Sequence, residues 1–154
     1  KLDELTQDNA LNISTFNDNY EISEILILKN ISINNINTFN RTPLYNVIYN
    51  NNYKLCELLV KSDADINQIC DNYMRTPLSL ASTLNNMEII ELLIYYGADE
   101  SILDYSGKSF YSNLDYYHKD LILSKYPTSV YTALVSENKF NGTFMEFLKI
   151  NKLN

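Results

Sequence analysis

The side chains that could do chemistry in this chain are few and scattered. His118 is its single histidine, set in Tyr116-Tyr117-His118-Lys119, with no cysteine or second histidine at metal-ligand spacing and no nucleophile motif beside it. Such a histidine reads as a surface or packing residue. Cys56 and Cys70 lack CxxC spacing and histidine partners, which gives neither a metal site nor a secreted disulfide framework. Cys56 falls on an apolar helix face and reads as a buried thiol; Cys70 falls in the connection that follows. Asp63 with Asp65, and Asp99 with Glu100, have the composition of acid–base pairs, but they occupy equivalent places in a repeated stretch and read as scaffold. Neither GxGxxG nor GxxxxGK[ST] occurs, and with 3 glycines a phosphate-cradling loop has little to be built from. Sequons at Asn12, Asn30, Asn40 and Asn141 are expected by chance in an asparagine-rich chain and are read as unmodified. No catalytic residue, metal or cofactor is expected.

Composition narrows the class further. The chain has 154 residues, one domain's worth or one stretch of a longer array, with an ordinary hydrophobic content of 45%. A net charge of -7 and a pI near 4.6 argue against nucleic-acid binding, which needs Lys and Arg massed on one face. The richest apolar stretch, 22–33, is broken by Ser23, Glu24, Lys29, Asn30 and Ser32, so no membrane span of ~20 residues is expected. No signal-peptide pattern is visible, and an intracellular, cytoplasmic location is expected. The chain starts at Lys1 rather than Met, as a piece of a longer protein would. Excess Asn, Ile and Tyr suggests an AT-rich genome.

The elements that organise these residues are written as a near-copy. Arg41-Thr42-Pro43-Leu44 returns 34 positions later as Arg75-Thr76-Pro77-Leu78. Glu57-Leu58-Leu59-Val60 with Asp63-Ala64-Asp65 returns as Glu91-Leu92-Leu93-Ile94 with Gly97-Ala98-Asp99. A period of this size means stacked supersecondary units. Thr42 can cap a helix that Pro43 opens, with Leu44, Val47 and Ile48 on one face. Asn50-Asn51-Asn52 makes a turn, and a second helix carries Leu55, Cys56, Leu58 and Leu59. The next unit repeats this with Leu78, Leu80 and Ala81, a turn at Asn85-Asn86, then Ile89, Ile90, Leu92 and Leu93.

Shifting back by 33 gives a degenerate first unit, with Asn9-Ala10-Leu11 for Thr-Pro-Leu and Ile22, Ile25, Leu26 and Ile27 in the second helix. Its polar Asn12, Ser14 and Thr15 are expected to face water, as in a terminal unit. Moving forward, the turn Asp104 to Ser109 opens a fourth unit in which Phe110 replaces Pro and the helices look shortened before Pro127. Tyr131 to Val135 and Phe144 to Leu148 form a final helix pair around Asn141-Gly142. If that unit is incomplete, Phe140, Phe144 and Phe147 leave an apolar end open to end-to-end stacking of an otherwise monomeric chain.

The Arg-Thr-Pro-Leu and Gly-Ala-Asp pattern strongly resembles the ankyrin repeat. The resemblance is clearest in the two central units and covers roughly residues 5–125. It implies an all-α fold: a solenoid of stacked helix-turn-helix units with β-turn fingers and about 4 to 5 repeats. A single domain over 1–154 would hold repeats near 5–36, 37–70, 71–103 and 104–127, with a divergent repeat or cap at 128–154.

The family binds partner proteins on a concave surface made of fingers and inner helices. Carried over by position, that surface is Phe39, Arg41, Tyr49 and Asn50, then Asn72, Tyr73, Arg75 and Leu84, then Tyr105, Lys108, Tyr116 and Tyr117. Arg41, Arg75 and Lys108 form a basic row, and Phe39 and Tyr73, with Tyr105 one place earlier in its finger, an aromatic row beside it. Arginine and aromatics dominate interface hot spots, so the implied partner is a protein with an acidic or phosphorylated segment and apolar anchors.

The degenerate ends resemble ankyrin proteins of viruses or intracellular pathogens, some of which modulate immunity by mimicking inhibitors of NF-κB or recruit a ubiquitin ligase. No F-box-like tail is visible in 140–154. The function implied is sequestering or tethering a host or regulatory protein. The alternative is a targeting or regulatory domain of a larger enzyme or ligase adaptor.

Overall fold

The computed structural model describes residues 9–153, so positions 5–8 of the first expected unit lie outside the described residues. Among these residues there are ten helices and no strand. They fall into pairs: α1 (Ala10–Phe16) with α2 (Tyr20–Leu28), α3 (Pro43–Tyr49) with α4 (Tyr53–Lys61), and α5 (Pro77–Thr83) with α6 (Met87–Tyr95). Then come α7 (Phe110–Asn113), α8 (Tyr116–Lys125), α9 (Pro127–Ser136) and α10 (Phe144–Ile150).

Local chemistry sets these boundaries. The hydroxyls of Thr42 and Thr76 accept hydrogen bonds from the N–H groups of Tyr45 and Ser79, and a proline opens each helix. Asp18, Asn51 and Asn85 take φ of 53°, 54° and 55° between the helices of each pair. Asn30, Asp63 and Gly97 do the same beyond each second helix, at 55°, 65° and 82°. Asparagine and aspartate tolerate this left-handed conformation better than other side chains. The asparagine excess therefore has a structural use.

The first helices of the pairs stack in one row (α1, α3, α5, α7, α9), and α2, α4 and α6 stack in a second. Between the rows lies a continuous core that includes Leu44, Val47, Ile48, Leu55, Leu59, Leu78, Leu80, Ile89 and Leu93, all at most 2% exposed. Truncating one such side chain to alanine costs about 2–5 kcal/mol. Amides stitch unit to unit: Asn46 Nδ2 donates to the Asn12 carbonyl at 3.0 Å, Asn52 Nδ2 to Asp18 Oδ1 at 3.1 Å, and Asn113 Nδ2 to Ser79 Oγ at 3.1 Å.

Three expectations are corrected. Asn12, Ser14 and Thr15 do not face water; they are buried because their polar atoms are satisfied. Asn12 Oδ1 accepts from Asn35, the Ser14 and Ser23 hydroxyls lie 2.8 Å apart, and Thr15 donates to the Leu11 carbonyl. The outward side chains of this unit include the apolar Ile13, Phe16, Ile22, Ile25 and Leu28. At the other end, Phe140, Phe144 and Phe147 are not an open apolar face. They close around Tyr131 with centroid distances of 6.0, 5.3 and 5.7 Å, and Phe147 is 1% exposed. Finally, of the two helices expected to be shortened in the fourth unit only the first is: α7 is a single turn of 4 residues, whereas α8 has 10. The Ser109 hydroxyl caps nothing, Leu114 is extended at ψ 149°, and Asp115 starts α8 by accepting from the His118 N–H.

Candidate protein-binding face

Each finger turns on one side chain. Oδ1 of Asn37 accepts from the N–H groups of Phe39 and Arg41, both at 3.0 Å. Oδ1 of Asp71 accepts from Tyr73 and Arg75 at 2.9 and 3.2 Å, and Oδ1 of Asp104 from Ser106 and Lys108 at 2.8 and 3.0 Å. The residue before each basic position turns left-handed: Asn40, Met74 and Gly107 at φ 62°, 56° and 71°. Sequence reasoning did not name Asn37 and Asp71, although an Asn or Asp four residues before each Arg or Lys was a readable signal. Neighbouring fingers join through the Tyr105 N–H, which donates to the Tyr73 carbonyl at 2.9 Å.

This geometry holds the aromatic row in solvent. Phe39 is 53% exposed, Tyr73 67% and Tyr105 79%. Ser106, not Tyr105, fills the slot of Phe39 and Tyr73. Tyr49 reaches the same side from α3 and stacks on Tyr45 at 5.8 Å. Tyr45, absent from the expected set, is buried and lies under the Arg41 guanidinium at 4.8 Å. Burial pushes its phenol above the ordinary value, while Arg41 pulls it down.

The basic row is not uniform. Arg75 is neutralised in place: its Nη2 and Nε each lie 2.6 Å from Oδ2 of Asp71, and its side chain is only 16% exposed. Arg41 has cation–π contacts with Phe39 and Tyr45 and no carboxylate partner among the described residues. Lys108 is exposed.

Other expected positions separate. Asn72 is exposed on its finger, and Leu84 caps the end of α5. Asn50 is tied into the stack, donating from Nδ2 to the Phe16 carbonyl at 3.0 Å. Tyr116 and Tyr117 do not lie on an inner helix as expected. Because α7 ends at Asn113, they form the first turn of α8, packed edge-to-face at 5.9 Å.

The remaining reactive groups have structural partners. His118 Nδ1 lies 2.6 Å from Oδ1 of the capping Asp115, whose carboxyl is held below its ordinary value first by the His118 N–H. Burial pushes the Cys56 thiol up to about 12 and raises Cys70 as well. A recess of about 540 Å³ lies away from the fingers, between α4, α6 and the C-terminal end of α8. Two of its carboxylates are already paired, Glu57 with Lys61 and Glu91 with Lys125. No group of three or more His, Cys, Asp or Glu suited to a metal ion occurs among the described residues. No helix among them is long and apolar enough to cross a membrane.

Paired helices stacked in two rows, with fingers projecting from one side, define a repeat solenoid of the protein-binding kind. The ankyrin-repeat family profile, in three copies, matches residues 11–104, more than half of the chain, and the chain belongs to that family. No curated protein matches it. Ankyrin repeats are protein–protein interaction modules and typically not enzymes.

Proposed function

We propose that this chain binds a partner protein on its finger and inner-helix surface and so sequesters or tethers it. The observation that supports this most directly is the alignment of Phe39, Tyr49, Tyr73 and Tyr105. All are more than half exposed; hydrogen-bonded finger turns hold Phe39, Tyr73 and Tyr105, and the last turn of α3 holds Tyr49. Rigid exposed aromatics supply contact area at low entropic cost. Among the described residues α9 and α10 continue the array, since α9 packs on α7 as each inner helix packs on its predecessor.

The test is affinity capture with the chain and with Phe39→Ala/Tyr49→Ala/Tyr73→Ala/Tyr105→Ala, after circular dichroism shows both folded. A partner held by the first and lost by the second is expected. Equal capture by both would move the binding surface to the outer helices.

A further inference from the structure

Finger one differs from its neighbours in one atom type with an electrical consequence. At equivalent positions the turn is made by Asn37, Asp71 and Asp104, and the cation four residues on is Arg41, Arg75 and Lys108. In the second finger the turn carboxylate doubles as the counter-ion of Arg75. In the first, a neutral amide makes the same turn, and among the described residues no carboxylate compensates the charge of Arg41. Phe39 and Tyr45 hold this guanidinium without satisfying its N–H groups.

Arg41 also forms part of the wall of a pocket of about 260 Å³, with Ile13, Phe16 and Phe39 as its apolar lining. That is below the roughly 300–1,000 Å³ typical of drug-sized ligands, and it suits one large side chain. Ile13 and Phe16 are 47% and 62% exposed, an apolar cost that an occupant would remove. A guanidinium with no carboxylate partner among the described residues, beside an apolar pocket, matches one carboxylate, bidentate, next to one apolar anchor. A phosphate dianion is bound by clusters of arginines, and here the neighbouring Arg75 is already neutralised.

We infer that this pocket receives a large apolar side chain of an unmodified acidic peptide segment, whose adjacent Asp or Glu carboxylate pairs with Arg41. The inference rests on the partner-binding reading above and specifies what the partner presents. With a net charge of -7 the whole molecule repels such a segment at long range, so the attraction is local.

The test is selection of random ten-residue peptides on the immobilised chain, followed by fluorescence polarisation with the enriched peptide. Enriched sequences are expected to place Leu, Ile, Phe or Met within two positions of Asp or Glu. Asn37→Asp keeps the turn that Asp71 and Asp104 make and supplies Arg41 with a counter-ion. It should weaken binding about tenfold, as should Arg41→Gln, while Lys149→Gln, on α10 far from the fingers, leaves it unchanged. Binders indifferent to Asn37→Asp but lost in Tyr73→Ala/Tyr105→Ala would overturn the pocket and leave the surface reading standing. Binders indifferent to all of these would overturn both. A phosphorylated version binding more than tenfold tighter would overturn the choice of carboxylate. A dimer in sedimentation, abolished by Phe16→Ser, would make a second copy the occupant and overturn the peptide.

Discussion

Arg75 and Asp71 form a two-pronged ion pair, with both Nη2 and Nε of the arginine 2.6 Å from one carboxylate oxygen of a side chain that is 6% exposed. The other oxygen of that carboxylate, Oδ1, builds the finger by accepting from the Tyr73 and Arg75 N–H groups, so the contact is part of the scaffold. It separates two arginines that look alike in sequence.

Arg75→Ala should therefore cost stability, about 3 kcal/mol, because it leaves a buried carboxylate unpaired. Arg41→Ala removes only cation–π contacts and should cost less than about 1 kcal/mol. Urea unfolding of the two variants, compared at equal slope, measures the difference. Equal losses would mean that Arg75 is not a scaffold residue.

Met74 holds φ 56° where its equivalents are Asn40 and Gly107, and its side chain is 47% exposed. A flexible side chain in the left-handed region is strained by roughly 1–2 kcal/mol, and glycine is not. Met74→Gly gives back part of that through the entropy of the unfolded chain. A net gain of about 0.5–1 kcal/mol is expected, seen as a higher urea midpoint.

Glu137 gives the chain an acid-sensitive joint. Burial opposes its ionisation, but Lys139 and the Ser109 and Ser112 donors outweigh this and hold the carboxyl at about 2 against an ordinary 4.5. It accepts from the Ser109 N–H at the start of α7 and from the Ser112 hydroxyl, joining α7 to the end of α9. A depressed folded value means the stabilisation is complete above pH 4.5 and is lost as pH falls towards 2. Thermal melts between pH 6 and pH 2.5 should show a steeper fall for the parent chain than for Glu137→Gln. The variant should already be about 2 kcal/mol less stable at neutral pH.

Both thiols are 0% exposed, and burial raises both above their ordinary value. Neither should react with a thiol-specific disulfide reagent until the chain unfolds, because the nucleophile is the thiolate. Urea titration should release both together if the array unfolds as one unit, and separately if one end frays first.

Much of the scaffold could be read beforehand because it rests on local rules. Thr42 and Thr76 cap, Pro43 and Pro77 open helices, and the apolar spacing of Leu44, Val47 and Ile48 needs no tertiary knowledge. What could not be read depends on partners far along the chain or on loop geometry. Asn12 and Thr15 look like surface residues until Asn46, 34 and 31 positions later, hydrogen-bonds to them. Phe140 and Phe144 look unpartnered until Tyr131 closes over them. Tyr116 and Tyr117 were misplaced because period alone carries a residue to an inner helix, and only the extended Leu114 and the cap at Asp115 show that this helix has ended. Within the candidate surface, type and spacing found the aromatics, but the different electrical states of Arg41 and Arg75 emerged only with the turns in place.

The central claim is that a partner sits on the fingers and inner helices. Hydrogen–deuterium exchange of the chain, alone and saturated with a captured partner, tests it most directly. The account predicts slowed exchange in the fingers around Asn37 and Asp71 and at the ends of α3 and α5, with α4 and α6 unchanged. Slowing confined to α4 and α6, with the fingers exchanging as in the free chain, would contradict it.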